Sequence, residues 1–252
     1  MAYTTINKSS LHMNTKLWTG TGSNGNAISG VGFAPDLVWV KNRSGSYDNV
    51  LFDRVRGDNK HVESNNNSAE ENEANTLAFG SDGYSVGTNT LNNSGSNIVG
   101  WNWKANGQGS SNTDGSINTT YTSVNTTAGF SISKYTGTGA NATVGHGLGA
   151  VPAMMIHKNL GATQAWTVYH HKNTSAPETE HLYLNLTQAT EDGAIQYNDT
   201  APTSSVFSVG SSNETNQSGN EIIAYCFAEK TGYSKFGSYV GNGNANGTFV
   251  SV

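Results

Sequence analysis

The strongest constraint on this chain is an internal repeat. Trp18-Thr19-Gly20-Thr21-Gly22 returns 117 positions later as Tyr135-Thr136-Gly137-Thr138-Gly139. The same offset carries Gly30 to Gly147, Gly32 to Gly149, Pro35 to Pro152 and Lys41-Asn42 to Lys158-Asn159. It still holds where Val50-Leu51-Phe52 meets Thr167-Val168-Tyr169. Beyond that the offset drifts, as loop insertions would make it. Gly83-Tyr84-Ser85-Val86-Gly87 answers to Val206-Phe207-Ser208-Val209-Gly210, and Val99-Gly100-Trp101-Asn102-Trp103 to Ile223-Ala224-Tyr225-Cys226-Phe227. A third start follows at Tyr239-Val240-Gly241-Asn242-Gly243. A period of this length is domain-sized, so the expectation is beads on a string rather than a solenoid.

Each copy reads as strands. Leu37-Val38-Trp39-Val40 is short and continuously apolar, as in a strand buried on both faces. Ala153-Met154-Met155-Ile156 is its counterpart. Leu77 to Phe79 and Tyr84 to Val86 flank Ser81-Asp82-Gly83, a hairpin signal. Trp101 and Trp103 lie two apart and share one face of a strand, as do Tyr225 and Phe227. A second hairpin is expected around Asn125-Thr126-Thr127-Ala128-Gly129, and residues 68–75, with Glu70, Glu71 and Glu73, read as a solvated loop. The expected fold is all-β: two tandem β-sandwich modules, lectin-like or jelly-roll-like. Module one spans 1–106, a Gly/Ser-rich linker 107–113, and module two 114–230. Residues 231–252 open a third module or form a docking strand pair.

Composition agrees and excludes partners. Charged residues make up 12 % of the chain, and the polar weight falls on Gly, Asn, Ser and Thr, which suit turns and strands. The net charge of −5, with no basic stripe, argues against nucleic acid. Apolar runs are too short for membrane insertion, and the first 17 residues lack a hydrophobic signal core. Cys226 is alone, so no intramolecular disulfide is available, which suits a product made in a reducing cytoplasm.

Comparing the copies weighs each candidate site. Gly20-Thr21-Gly22-Ser23-Asn24-Gly25 fits G-x-G-x-x-G, but no helical period follows and the later copies lose the third glycine. A hairpin needs only the first two, so no cofactor is assigned. His157, His170 and His171 answer to Val40, Asp53 and Arg54; with His181 they read as scattered surface histidines, and no metal is assigned. Gly145-His146-Gly147 has no nucleophile elbow to serve. Cys226 answers to Asn102, an ordinary strand position, and no pair of carboxylates matches between copies. No catalytic residue is assigned. Trp18, Trp101 and Trp103 are replaced by Tyr135, Tyr225 and Phe227, which keeps bulk and indicates core. Trp166 answers to Asn49, has no aromatic twin, and is the one tryptophan assigned as a surface contact.

Four strings carry a family resemblance: Gly32 to Arg43 (GFAPDLVWVKNR), Ile98 to Ala105 (IVGWNWKA), Ser111 to Ile117 (SNTDGSI) and Tyr225 to Gly243 (YCFAEKTGYSKFGSYVGNG). Together they resemble repeated modules of virion proteins from marine bacteriophages, including those infecting cyanobacteria and Pelagibacter-like bacteria. The resemblance covers essentially the whole chain. It implies a virion component with lectin-like modules and no catalytic residues. In such proteins the chain usually runs through a full third module, whereas here it stops at Val252, so this is a shorter relative or a fragment. The function expected is a tail fibre, appendage or capsid-surface component, assembled in the host bacterial cytoplasm and exposed on the particle. Its partners are other virion proteins, further copies of itself and a host-surface glycan bound weakly and multivalently. A capsid decoration or cement protein is the alternative, and a glycan depolymerase with two facing carboxylates the third reading. Loops 44–47 and 160–164 are the expected exposed tips.

Overall fold

The structure, a computed structural model, describes residues 4–249. It is all-β, with antiparallel ladders throughout and two single-turn helices. The first half contains β1 (Met13–Thr19), β2 (Asn26–Ser29), β3 (Leu37–Asn42), β4 (Asn49–Asp53), β5 (Lys60–Glu63), β6 (Glu71–Asn72), β7 (Leu77–Phe79), β8 (Gly83–Val86) and β9 (Asn97–Trp103). The second contains β10 (Tyr121–Asn125), β11 (Phe130–Thr136), β12 (Ala142–Gly145), β13 (Met154–Asn159), β14 (Thr167–His170), β15 (Glu180–Tyr183), β16 (Glu191–Asp192), α1 (Ala194–Tyr197), β17 (Val206–Val209), α2 (Asn213–Asn216) and β18 (Glu221–Phe227).

The sequence repeat reappears as topology. One large sheet runs β1-β9-β3-β4-β5-β6, and the other runs β11-β18-β13-β14-β15-β16 with β10 added outside β11. Register follows the sequence offsets. Trp39 faces Trp101 across β3 and β9, and Ile156 faces Tyr225 across β13 and β18. The small sheets correspond too: β2-β8-β7 in the first half and β12-β17 in the second. The hairpin at Ser81-Asp82-Gly83 forms between β7 and β8, and the one around residues 125–129 between β10 and β11.

Glycine placement explains the repeated Gly-Thr-Gly. A Cβ on Gly20 would sit 2.1 Å from the Asn93 carbonyl oxygen, and one on Gly137 would sit 2.3 Å from that of Gln217. Gly22 and Gly139 have φ of 71° and 74°, where a side chain is strained. Each loop is keyed on a buried asparagine from the far end of its own half. Asn92 Oδ1 accepts from the Thr21 N–H at 2.8 Å, and Asn216 Oδ1 from the Thr138 N–H at 2.8 Å. No helix follows either loop, so the motif is a turn.

Each large sheet is apolar on both faces. The outer face packs against the small sheet of its own half. Val38, Val40 and Phe52 meet Ile28, Tyr84 and Val86 in the first half, and Met155 and Tyr169 meet Val144 and Phe207 in the second. The inner faces pack against each other. Leu37, Leu51, Val55 and Val62 from the first half share one core with Phe130, Ile132, Ile156, Trp166, Val168 and Tyr225 from the second. Beads on a string is therefore the wrong picture: the two halves are fused back to back. The stretch 107–113 is not a free linker either. Asp36 accepts from the Ala105 N–H at 2.6 Å and the Gly107 N–H at 3.1 Å, and Ser110 pairs with Thr122 of β10.

A fully buried polar network crosses the seam. Asp53 Oδ2 lies 2.5 Å from Arg56 Nε and accepts from the Tyr225 hydroxyl at 2.8 Å. Arg56 also donates to the Leu51 carbonyl at 2.9 Å and lies 3.4 Å from Glu70. Packing is incomplete at one end, where a cleft of about 390 Å³, open to solvent on one side, remains between the sheets.

The strand pair expected over residues 238–252 is not formed among the described residues, and residues 250–252 lie outside them. Residues 230–234 close a turn, and Tyr239 and Phe249 are 68 % and 90 % exposed.

Candidate functional site

Superposing the ladders exposes a match that the drifting offset conceals. β5 pairs with β4 as β15 pairs with β14, so Val62 answers to Leu182 and His61 to His181. One strand further out, His61 stands opposite Glu71 and His181 opposite Glu191. Both histidines are buried, and in both the Nε2 lies 3.7 Å from the glutamate Oε2. Both Nδ1 atoms are buried without a hydrogen-bond partner among the described residues. One His–Glu pair is thus repeated in the two halves. Its glutamate sits on a two-residue strand inside a charged loop, where periodicity gives no signal.

In the first half this pair lines a groove of about 440 Å³, walled by Tyr47, His61, Glu63, Glu71, Glu73 and Asn93 over a floor of Val50 and Leu91. The His61 ring stacks on Phe52 with centroids 5.5 Å apart, which fixes its plane. Loop 44–47 supplies one rim. Its Tyr47 hydroxyl accepts from Asn93 Nδ2 at 3.1 Å, while Lys41 Nζ donates to the Tyr47 carbonyl. Asn66 Nδ2 donates to Glu63, and Glu71 and Glu73 are exposed. In the second half Tyr183 replaces Glu63. Its hydroxyl sits 3.1 Å from His181 Nε2 and donates to Glu191 Oε2 at 3.3 Å. There α1 packs on β15. Burial lowers the His181 pKa, against the opposing charges of Glu191 and Glu214. The open groove offers carboxylate acceptors, an anchored amide and an aromatic rim, groups that engage neighbouring hydroxyls of a polar ligand.

Among the described residues, no three His, Cys, Asp or Glu side chains converge as metal ligands. Of the histidines read as surface residues, His157 and His181 are buried, as are His61 and His146, while His170 and His171 are partly exposed. His157 packs its ring against Tyr197 and Phe207, and burial pushes its pKa down to about 3. His146 closes a turn, its Nδ1 accepting from the Leu148 N–H at 3.2 Å. Cys226 is a buried strand residue whose thiol burial pushes up to about 12.

Trp166 is not a surface contact. It is fully buried in the seam core, and its indole N–H donates to the Glu63 carbonyl of the other half at 2.9 Å. Asn49 could not fill that place. The difference between the copies arises because the two halves meet there asymmetrically. Beside it Lys158 donates to the Asn67 and Gln164 carbonyls at 3.0 and 2.6 Å, its pKa pushed down to about 8 by burial. Loop 160–164 also belongs to the seam: Leu160 is buried there, and its carbonyl accepts from the Glu70 N–H. Trp39 and Trp103 pack against the seam core and Trp18 against the outer core, each half-buried.

A family described as "Domain of unknown function (DUF7483)" matches residues 8–252, and the chain belongs to it. No curated protein and no solved structure matches the chain.

Proposed function

We propose that this DUF7483 chain is a structural protein of a bacteriophage virion, a tail fibre, appendage or capsid-surface component, built from two tandem β-sandwich modules. It works without catalysis or cofactor. After assembly in the host's bacterial cytoplasm it sits on the particle in many copies, beside other virion proteins, and attaches weakly to host-surface glycans. The observation carrying this reading is the open polar groove at His61 and Glu71 on a body stiffened by the seam core. A shallow groove of hydroxyl-binding groups suits weak binding, and many copies per particle convert weak binding into useful avidity. The resemblance of the four sequence strings to virion modules supplies the location.

A purified antibody against the chain, imaged on intact particles by electron microscopy, tests location. Dense surface labelling is expected, and unlabelled particles would overturn the reading. Glycan-array binding by wild type and Glu71→Gln tests the groove: binding should weaken in the variant while its melting temperature holds. Release of reducing ends from a bound polysaccharide would replace attachment by depolymerisation.

The alternative, a decoration or cement protein, draws support from β1. Among the described residues this seven-residue edge strand has no strand on its outer side, where β11 has β10, and it exposes Leu17. Particles lacking the chain would then lose heat resistance while still adsorbing to hosts.

A further inference from the structure

We infer that the cavity between the two large sheets binds an uncharged hydrocarbon moiety such as an acyl chain. This goes beyond the surface role proposed above and does not depend on it. One wall comes from the first half, with Met13, Leu37, Trp39 and Trp103; the facing wall comes from the second, with Phe130, Met154, Ile156 and Phe227. No charged side chain lines the cavity. Its hydroxyls are few and partly committed. That of Tyr225 donates to Asp53, and that of Ser234 to the Ala228 carbonyl. Water lying against this lining finds few polar partners on the protein.

The lining is chiefly apolar, so a hydrocarbon seated there removes apolar surface of both partners from water. The aromatic wall is continuous, with ring centroids 6.4 Å apart from Trp103 to Phe130 and 5.0 Å from Phe130 to Phe227. Met13 and Met154 add side chains that adapt to a ligand's shape.

Residues 233–236 form a strap that contributes Tyr233, Ser234 and Phe236 to the lining. The strap is held by a few bonds. Lys230 and Ser234 exchange backbone hydrogen bonds at 2.9 Å, and His171 Nε2 donates to the Phe236 carbonyl at 3.1 Å. Phe236 rests on Phe227 at 6.1 Å, and Tyr233 meets His12 edge-on at 6.0 Å. These contacts can open without disturbing either sheet. In both completed copies the place corresponding to this strap is taken by a paired strand, β1 or β11.

Titrating the full chain with the neutral fluorophore 1-N-phenylnaphthylamine tests the site. Saturable binding of one probe per chain is expected. Dodecanoate below its micelle concentration should displace the probe if the natural chain is free; displacement only by phosphatidylcholine vesicles would name a membrane lipid as source. Met154→Trp and Ala128→Leu, which both add bulk to the lining, should each weaken probe binding at least tenfold. Circular dichroism melts identify which variants remain folded. Absence of saturable binding by wild type, or undiminished binding by a folded variant of each kind, would overturn the proposal.

Discussion

Trp166→Ala discriminates between a seam residue and a surface residue. The side chain is fully buried among neighbours from both halves. Burying a tryptophan removes about 200 Å² of largely apolar surface, worth roughly 5 kcal/mol at 25 cal/mol per Å². Truncating a buried aromatic costs about 3–5 kcal/mol in practice, because the site partly relaxes. The change also orphans the Glu63 carbonyl, which accepts the indole N–H at 2.9 Å. A loss of about 4 kcal/mol is therefore expected. With a urea slope of about 3 kcal/mol/M, the midpoint should fall by roughly 1.3 M. Trp166→Phe keeps most of the area and loses the hydrogen bond, so about 1–2 kcal/mol is expected. Equilibrium unfolding in urea, followed by far-ultraviolet circular dichroism, measures both. A surface tryptophan would cost under about 0.5 kcal/mol. A midpoint shift below about 0.2 M for Trp166→Ala would refute the burial argument.

Two further changes follow from buried charge. Asp53→Asn leaves Arg56 buried without its nearest carboxylate and should cost about 3–5 kcal/mol. Tyr225→Phe removes one charge-assisted bond while Arg56 still holds Asp53, so about 2 kcal/mol is expected; the same urea titration checks the order, and equal losses would contradict it. Acid should weaken the fold through His157, whose folded pKa of about 3 lies below the ordinary 6.5. The unfolded state then binds the extra proton, so stability is full above pH 6.5 and falls as pH drops toward 3. About 2 kcal/mol should be lost between pH 6.5 and 4.5 from this residue, with His146 and His181 adding in the same direction. His157→Phe should show a visibly smaller loss over that window, and an identical loss would exclude His157 as the source.

Much of the fold is written in the repeat. The strand pairs β1 and β11, β3 and β13, and β9 and β18 have boundaries that coincide under the sequence offsets. Continuous apolarity at Leu37 to Val40 signalled a strand buried on both faces, and the second cover proves to be the other half of the chain. What occupies that second face was not legible, since an inward-facing aromatic looks the same whether it meets a small sheet or a large one. Comparing copies also misled at the seam. Two like surfaces packed off-centre place non-equivalent residues in contact, so Trp166 has no twin and resembled a surface residue. The His61–Glu71 and His181–Glu191 pairs stayed hidden because both lie 120 positions apart, past the insertions, with Tyr183 standing in for Glu63. Ladder register, not sequence spacing, aligned them.

Back-to-back fusion of the two copies into one cooperative body is tested most directly by native-state hydrogen exchange. β9 and β18 are flanked on both sides at equivalent places in the two large sheets. Their slowest amides should open with the same free energy, within about 0.5 kcal/mol, and Trp166→Ala should lower both together. Opening of β9 at a free energy several kcal/mol below that of β18, with only one strand responding to Trp166→Ala, would show two independent modules and contradict the shared core.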